Sequence, residues 1–199
     1  MLVAATLIFA GYLFGSISAA ILTCRAMGLP DPRQDGSGNP GATNVLRLGG
    51  KKAAAITLAG DLLKGLIPVL IARLLSAETA VVALVGLVAF LGHLYPVFFS
   101  FHGGKGVATA FGVILGVSPV VAACAFGTWL AVAVVTRLSS LGALTASVLA
   151  PGFLWFFNAP SAYIAAVAIM AVLLLWRHRS NIQRLLDGSE SRIGGSKTE

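Results

Sequence analysis

The chain has 199 residues, of which 57% are hydrophobic and only 11% charged. That balance excludes a water-soluble globular domain, for which about 25% charge is usual. The net charge of +7 admits four explanations: nucleic acid, anionic headgroups, a phosphorylated substrate, or basic loops held on one side of a membrane, and the position of each charge decides among them.

The apolar run Leu2 to Thr23 has no basic start and no cleavage site, so it predicts a first membrane helix. Arg25 to Lys52 then changes character, with Pro30, Pro32, six Gly and a concentration of Arg, Lys, Asp and Asn, and reads as a loop. Ala53 to Leu75 is a second helix, Ser76 to Thr79 a turn, and Ala80 to about Tyr95 a third helix. Pro96 to Gly106 forms a second Gly-rich loop. Residues 107 to 117 are a short fourth helix, about 17 Å at 1.5 Å per residue, ended by Ser118-Pro119, where proline favours a new first turn. Pro119 to Thr136 is helix five, Leu141 to Phe157 helix six, Asn158-Ala159-Pro160 a turn, and helix seven ends at Trp176. The tail from Arg177 to Glu199 is polar. Cys24 and Cys124 lie far apart in or beside apolar runs, which indicates neither a disulfide nor a metal site.

Basic residues test this count. Arg25, Arg33, Arg47, Lys51, Lys52, Lys105, Arg137, Arg177, Arg179, Arg184, Arg192 and Lys197 fall on one side only if the short helix crosses. Arg73 alone lies near the other face. The expected fold class is therefore an all-α integral membrane protein with seven transmembrane helices, the N-terminus outside and the C-terminus cytoplasmic. Residues 1–199 make one membrane-embedded domain with a polar tail over about 180–199. No nucleic-acid partner is expected, and no inverted repeat of the transporter kind is evident.

The first loop, Gly36-Ser37-Gly38-Asn39-Pro40-Gly41-Ala42-Thr43-Asn44-Val45-Leu46-Arg47, combines glycines that let backbone N–H groups converge with a guanidinium that forks onto phosphate oxygens. An anion site and an ordinary surface turn both accommodate it. In the second loop, Gly103-Gly104-Lys105-Gly106 stands at a helix N-terminus, where amides and the dipole favour an anion. Gly106 stands where a nucleotide-binding loop needs Ser or Thr, which excludes that motif; the other reading is a Lys snorkelling to the interface. A third polar set comprises Arg137-Leu138-Ser139-Ser140 and Arg177 to Arg184, in which His178 and Asn181 share a face if the helix continues. Asp61 and Lys64, three apart in an apolar helix, cost about 2.5 to 3.5 kcal/mol each at membrane depth, so they form either a structural ion pair or a substrate-facing one. Gly11 with Gly15, and Gly112 with Gly116, are spacings for close helix packing.

Together, the segments 36–47, 92–109, 139–144 and 177–188 resemble the PlsY family, the bacterial membrane acyl-phosphate:glycerol-3-phosphate acyltransferases, and the resemblance covers nearly the whole chain. It implies transfer of a fatty acyl group from acyl phosphate to the 1-hydroxyl of glycerol 3-phosphate, yielding lysophosphatidic acid and phosphate in the bacterial cytoplasmic (inner) membrane. The active site would face the cytoplasm. Neither acyl carrier protein nor coenzyme A is the direct donor in that family, and no cofactor or metal is implied. By position the resemblance assigns substrate phosphate to Ser37, Arg47 and Lys105, with Gly38, Asn39, Gly41, Thr43 and Asn44 of the first loop and the Gly103-Gly104 turn beside them. It assigns the reaction chemistry to Ser140, His178 and Asn181. Two groups can take the hydroxyl proton, His178 and a substrate phosphate. His102 departs from the Lys expected before Gly-Gly-Lys-Gly. A phosphate or organophosphate transporter is the alternative, weakened by the gathering of all anion-binding candidates on one face.

Overall fold

A computed structural model describes residues 1–75 and 78–194, and among these every regular element is helical. The predicted turn at Ser76, and Ser196 and Lys197 in the tail, lie outside the described residues. The chain divides into two compact units, Met1–Val117 and Ser118–Glu199. Large apolar side chains such as Leu74, Val135, Trp155 and Phe156 point outward, 69–83% exposed, as expected where hydrocarbon is the solvent.

The first unit begins with a correction. The run predicted as one helix is two, α1 (Leu2–Gly15) and α2 (Ala19–Ala26), bent by 43°. Ser18 caps α2, its Oγ accepting from the Ile21 amide at 3.4 Å, and both Ser16 and Ser18 are buried. Nothing in the apolar pattern marks this break. Close packing does: a Cβ on Gly15 would run into the Ala89 carbonyl, so α1 lies backbone to backbone on α4 (Thr79–Leu94).

A second correction concerns the segment 42–52, expected as loop. Helix α3 runs from Ala42 to Leu75, interrupted only at Gly50, whose φ of 74° and ψ of −171° belong to a region that glycine alone occupies freely. Thr43, Asn44 and Arg47 therefore ride on helix. Ala20 and Cys24 of α2 pack with Val45 and Ala53 of α3 and with Leu29, so Cys24 serves as a small apolar filler.

After α4 come a 3-10 turn, Val97–Phe99, and α5 (Val107–Val117), the short helix, 11 residues long. Its glycines let α3 approach closely, since a Cβ on Gly112 would strike the Leu62 carbonyl and one on Gly65 the Thr109 carbonyl. Arg73 gains a specific reason for its place: its Nη1 donates to the Gly116 carbonyl at 2.7 Å, capping the C-terminal turn of α5.

In the second unit Ser118 caps α6 (Pro119–Thr136), with Pro119 in the first turn, as the sequence predicts. Arg137, at φ 61°, reverses the chain into α7 (Ser139–Phe156). That helix starts two residues before the expected Leu141, placing Ser139 and Ser140 in its first turn. α8 (Ser161–Arg177) and α9 (Arg179–Leu186) are bent by 60° about His178, so the helix expected to carry His178 and Asn181 on one face does not continue straight. Among the described residues four helices are long and apolar enough to cross a membrane, and the two bent pairs raise that number to six.

Candidate active site

In the first unit the first loop is built around Asn44. Its Oδ1 accepts from the Ser37 amide at 2.8 Å, while Nδ2 donates to the carbonyls of Pro32 at 2.9 Å and Asp35 at 3.0 Å. Asn44 is 1% exposed, and a buried amide with an unmade bond is costly, so these three bonds hold the loop around it. Asn44 thus shapes the loop from inside. Gly36 and Gly38, at φ 65° and 68°, supply the left-handed turns that bring Ser37 to the surface. Gly41 closes onto the Asn39 carbonyl at 2.9 Å, and α3 begins one residue later. Thr43 and Arg47, four apart and both exposed, share one face of its first two turns.

The two arginines of this region differ. Arg33 forks onto Asp31, Nε to Oδ1 at 3.0 Å and Nη2 to Oδ2 at 2.7 Å. The Arg33 hydrogen bonds outweigh partial burial and hold the Asp31 carboxyl below its ordinary range. Its charge is spent within the loop, whereas Arg47 is exposed.

The second loop meets the first. Gly103 lies against the carbonyls of His93 and Leu94, and a Cβ there would collide with both. A Cβ on Gly104 would collide with His93 Nε2 and stand 2.9 Å from the Pro40 carbonyl, so the His93 ring and the first loop both close on this glycine. Lys105 is half-buried, and α5 opens two residues on, so the Gly-Gly-Lys turn stands at a helix N-terminus as the sequence predicts. His102 is exposed, its Nδ1 2.7 Å from the Ser100 carbonyl.

The second unit gathers a different set. His178 is 4% exposed and its Nδ1 lies 2.9 Å from the Leu174 carbonyl. A carbonyl only accepts, so Nδ1 carries the proton and Nε2 is the basic nitrogen. Asn181, 7% exposed, donates through Nδ2 to Glu190 Oε1 at 2.6 Å, and Arg184 Nε donates to Oε2 at 2.7 Å. The Ser140 hydroxyl lies beside the same carboxylate, short of full hydrogen-bond geometry. Burial pushes the Glu190 carboxyl up; Ser140, Asn181 and Arg184 together outweigh it and hold it below its ordinary value. Glu190 was not singled out by the sequence reasoning. The available signal was a pair of acids, Asp187 and Glu190, following a basic, amphipathic last helix. Beyond it, the Ile193 amide donates to the Arg137 carbonyl at 2.7 Å, folding the tail against the turn before α7.

Helical bundles with apolar exteriors and polar, glycine-rich loops at helix ends define a multi-pass integral membrane protein. A family model described as glycerol-3-phosphate acyltransferase matches residues 5–188. The glycerol-3-phosphate acyltransferase of Thioalkalivibrio sulfidiphilus is 58% identical over 194 residues, covering 98% of this chain and 96% of its own. That of Methylococcus capsulatus is 54% identical over 186 residues, 94% of each. Among solved structures, PlsY, an integral membrane glycerol 3-phosphate acyltransferase, matches in its glycerol 3-phosphate form with a TM-score of 0.92 and 44% identity over 96% of both chains. Its lysophosphatidic acid form matches with a TM-score of 0.90 and 43% identity, covering 96% of this chain and 95% of that one. The chain belongs to the glycerol-3-phosphate acyltransferase family. It is a membrane acyltransferase, and the transporter reading is not favoured.

Proposed function

We propose that the acyl donor is acyl phosphate and that the acceptor is the 1-hydroxyl of glycerol 3-phosphate, with lysophosphatidic acid and phosphate as products. The observation that carries this is the meeting of the two Gly-rich loops at Gly104 and Pro40, because phosphorylated substrates demand converging N–H donors and cations. Arg47, Lys105 and the Ser37 hydroxyl hold phosphate, with the backbone of Gly38, Asn39, Gly41, Gly103 and Gly104 and the Thr43 hydroxyl alongside; Asn44 holds the loop in shape.

Ser140, His178 and Asn181 serve the chemistry. The hydroxyl oxygen forms its bond to the acyl carbonyl carbon, the bond from that carbon to the phosphate oxygen breaks, and phosphate leaves with the electron pair. Because the acyl group arrives activated and phosphate leaves readily, positioning and charge stabilisation suffice, with neither a covalent intermediate nor a thioester donor from acyl carrier protein or coenzyme A. The hydroxyl proton passes to His178 Nε2 or to a substrate phosphate.

Seven crossings are proposed: the α1–α2 pair, α3, α4, α5, α6, α7 and α8. This count alone keeps the basic loops on the cytoplasmic side of the bacterial inner membrane, with the site facing inward. Residues 1–199 form one acyltransferase domain of two units, supported by a family match that runs across the boundary at Val117. Purified protein in lipid or detergent should release phosphate from acyl phosphate only when glycerol 3-phosphate is present. Equal turnover with acyl coenzyme A, or loss of all activity in a chelator, would overturn this reading.

A further inference from the structure

Asp61 and Lys64, 3% and 4% exposed, form an ion pair of 2.8 Å in α3. A buried pair is tolerable only when its remaining donors and acceptors are engaged, and here the pair reaches the α1–α2 gap and α4, and through His93 also α5. Lys64 Nζ donates to the Ile17 carbonyl at 2.9 Å, in the gap between α1 and α2. Asp61 Oδ1 lies 3.5 Å from His93 Nδ1 on α4, and the same nitrogen lies 3.0 Å from Thr109 Oγ1 on α5.

His93 is 5% exposed, and its two ends do different things. Nδ1 faces this buried network. The Nε2 edge and the backbone face the Gly-Gly-Lys turn: the Gly104 amide donates to the His93 carbonyl at 3.2 Å, and no Cβ fits between Gly104 and Nε2. A carboxylate beside Nδ1 favours the proton there and fixes the plane of the ring. The Pro40 carbonyl of the first loop crowds the same face of Gly104, so a change in the ring's position moves the second loop and its contact with the first.

We propose that His93 is a positioning residue for the Gly103–Lys105 turn, fastened in place by Asp61, Lys64 and Thr109. This rests on the assignment of Lys105 to a substrate phosphate. His93 touches no substrate; it sets where the turn's amides and the Lys105 ammonium stand when phosphate arrives. The effect therefore belongs to binding and not to the chemical step.

The test is steady-state kinetics with both substrates varied, on folded variants in one detergent. Lys105→Ala identifies the substrate that the turn holds by raising its KM. His93→Leu should raise the KM of that same substrate by on the order of tenfold, with kcat within about twofold, the loss expected when one hydrogen-bonded contact is no longer aligned. His93→Gln, whose amide reaches the place of Nε2, should recover part of that loss. If His93→Leu does not fold, Thr109→Val makes the same cut with little change in volume and should raise the same KM about threefold. A KM raised by Lys105→Ala but unchanged in the His93 and Thr109 variants overturns the positioning role alone, as does a fall in kcat without a change in KM. A KM unmoved by Lys105→Ala overturns the phosphate assignment, and the positioning role with it.

Discussion

Asn181 Nδ2 donates to Glu190 Oε1 at 2.6 Å, and this contact joins the start of the tail to the residues assigned to chemistry in the second unit. The carboxylate takes a second bond from Arg184, so both of its oxygens are engaged. Its pKa is held below the ordinary 4.5. For a group depressed in the folded state, the stabilisation is present above the unfolded value and is lost as pH falls through the folded one. The melting temperature of the wild-type protein in detergent should therefore fall as pH is lowered below about 4.5, through loss of this clasp. Glu190→Gln should melt lower than wild type at neutral pH and show a flatter acid dependence. Parallel acid curves for the two proteins would refute the contribution.

Arg47→Lys retains the positive charge but removes the planar fork. With a phosphate held bidentately, the loss of one charge-assisted hydrogen bond should cost about 2 kcal/mol, a roughly thirtyfold drop in kcat/KM. Arg33→Lys, in a side chain already bound to Asp31, should cost far less. Near-wild-type kinetics for Arg47→Lys would show that its charge only orients the protein in the membrane.

His178→Ala should lower kcat with little change in either KM, since the ring is proposed to act on the reacting hydroxyl. The proton on Nδ1, directed at the Leu174 carbonyl, leaves Nε2 as the nitrogen able to accept one. If Nε2 is the base, the variant flattens the acid limb of the rate–pH profile. An unchanged limb assigns the proton to a substrate phosphate.

Single cysteines placed at Ser37 and Ser139, in a background without Cys24 and Cys124, should label from the cytoplasmic side, and those at Glu78 and Asn158 from outside. The outcome depends on α5. At 11 residues its length does not decide whether it crosses, and opposite accessibility of Ser37 and Ser139 would remove it as a span.

Much of this was legible in the chain because the signals were local. Low charge announced the membrane, Ser118-Pro119 marked a helix start, and Gly112 stood where a neighbouring backbone passes. The break at Ser16–Ser18 was not legible, because two of the groups that meet it, the Ala89 carbonyl against Gly15 and the Lys64 amine on the Ile17 carbonyl, lie far away in the sequence. The early start of α3 was hidden by Gly49-Gly50, which reads as a loop although only Gly50 leaves helical geometry. Within the candidate site the Gly-rich segments and Lys105 could be found by composition. The inward turn of Asn44, and the fastening of Asn181 by Glu190, could not, since each depends on which of several polar groups the fold encloses.

The bond from Lys64 to Ile17 also bears on the order of assembly. A chain made from its N-terminus places α1 and α2 in the bilayer before α3 has emerged, and hydrocarbon offers the carbonyl in their gap no water to bond with. The amine that serves it arrives with the next span and brings its own need for Asp61. The carbonyl in the gap of the first helical pair is thus served by its successor, and a nascent chain stopped before residue 64 lacks the donor that this carbonyl meets in the finished fold.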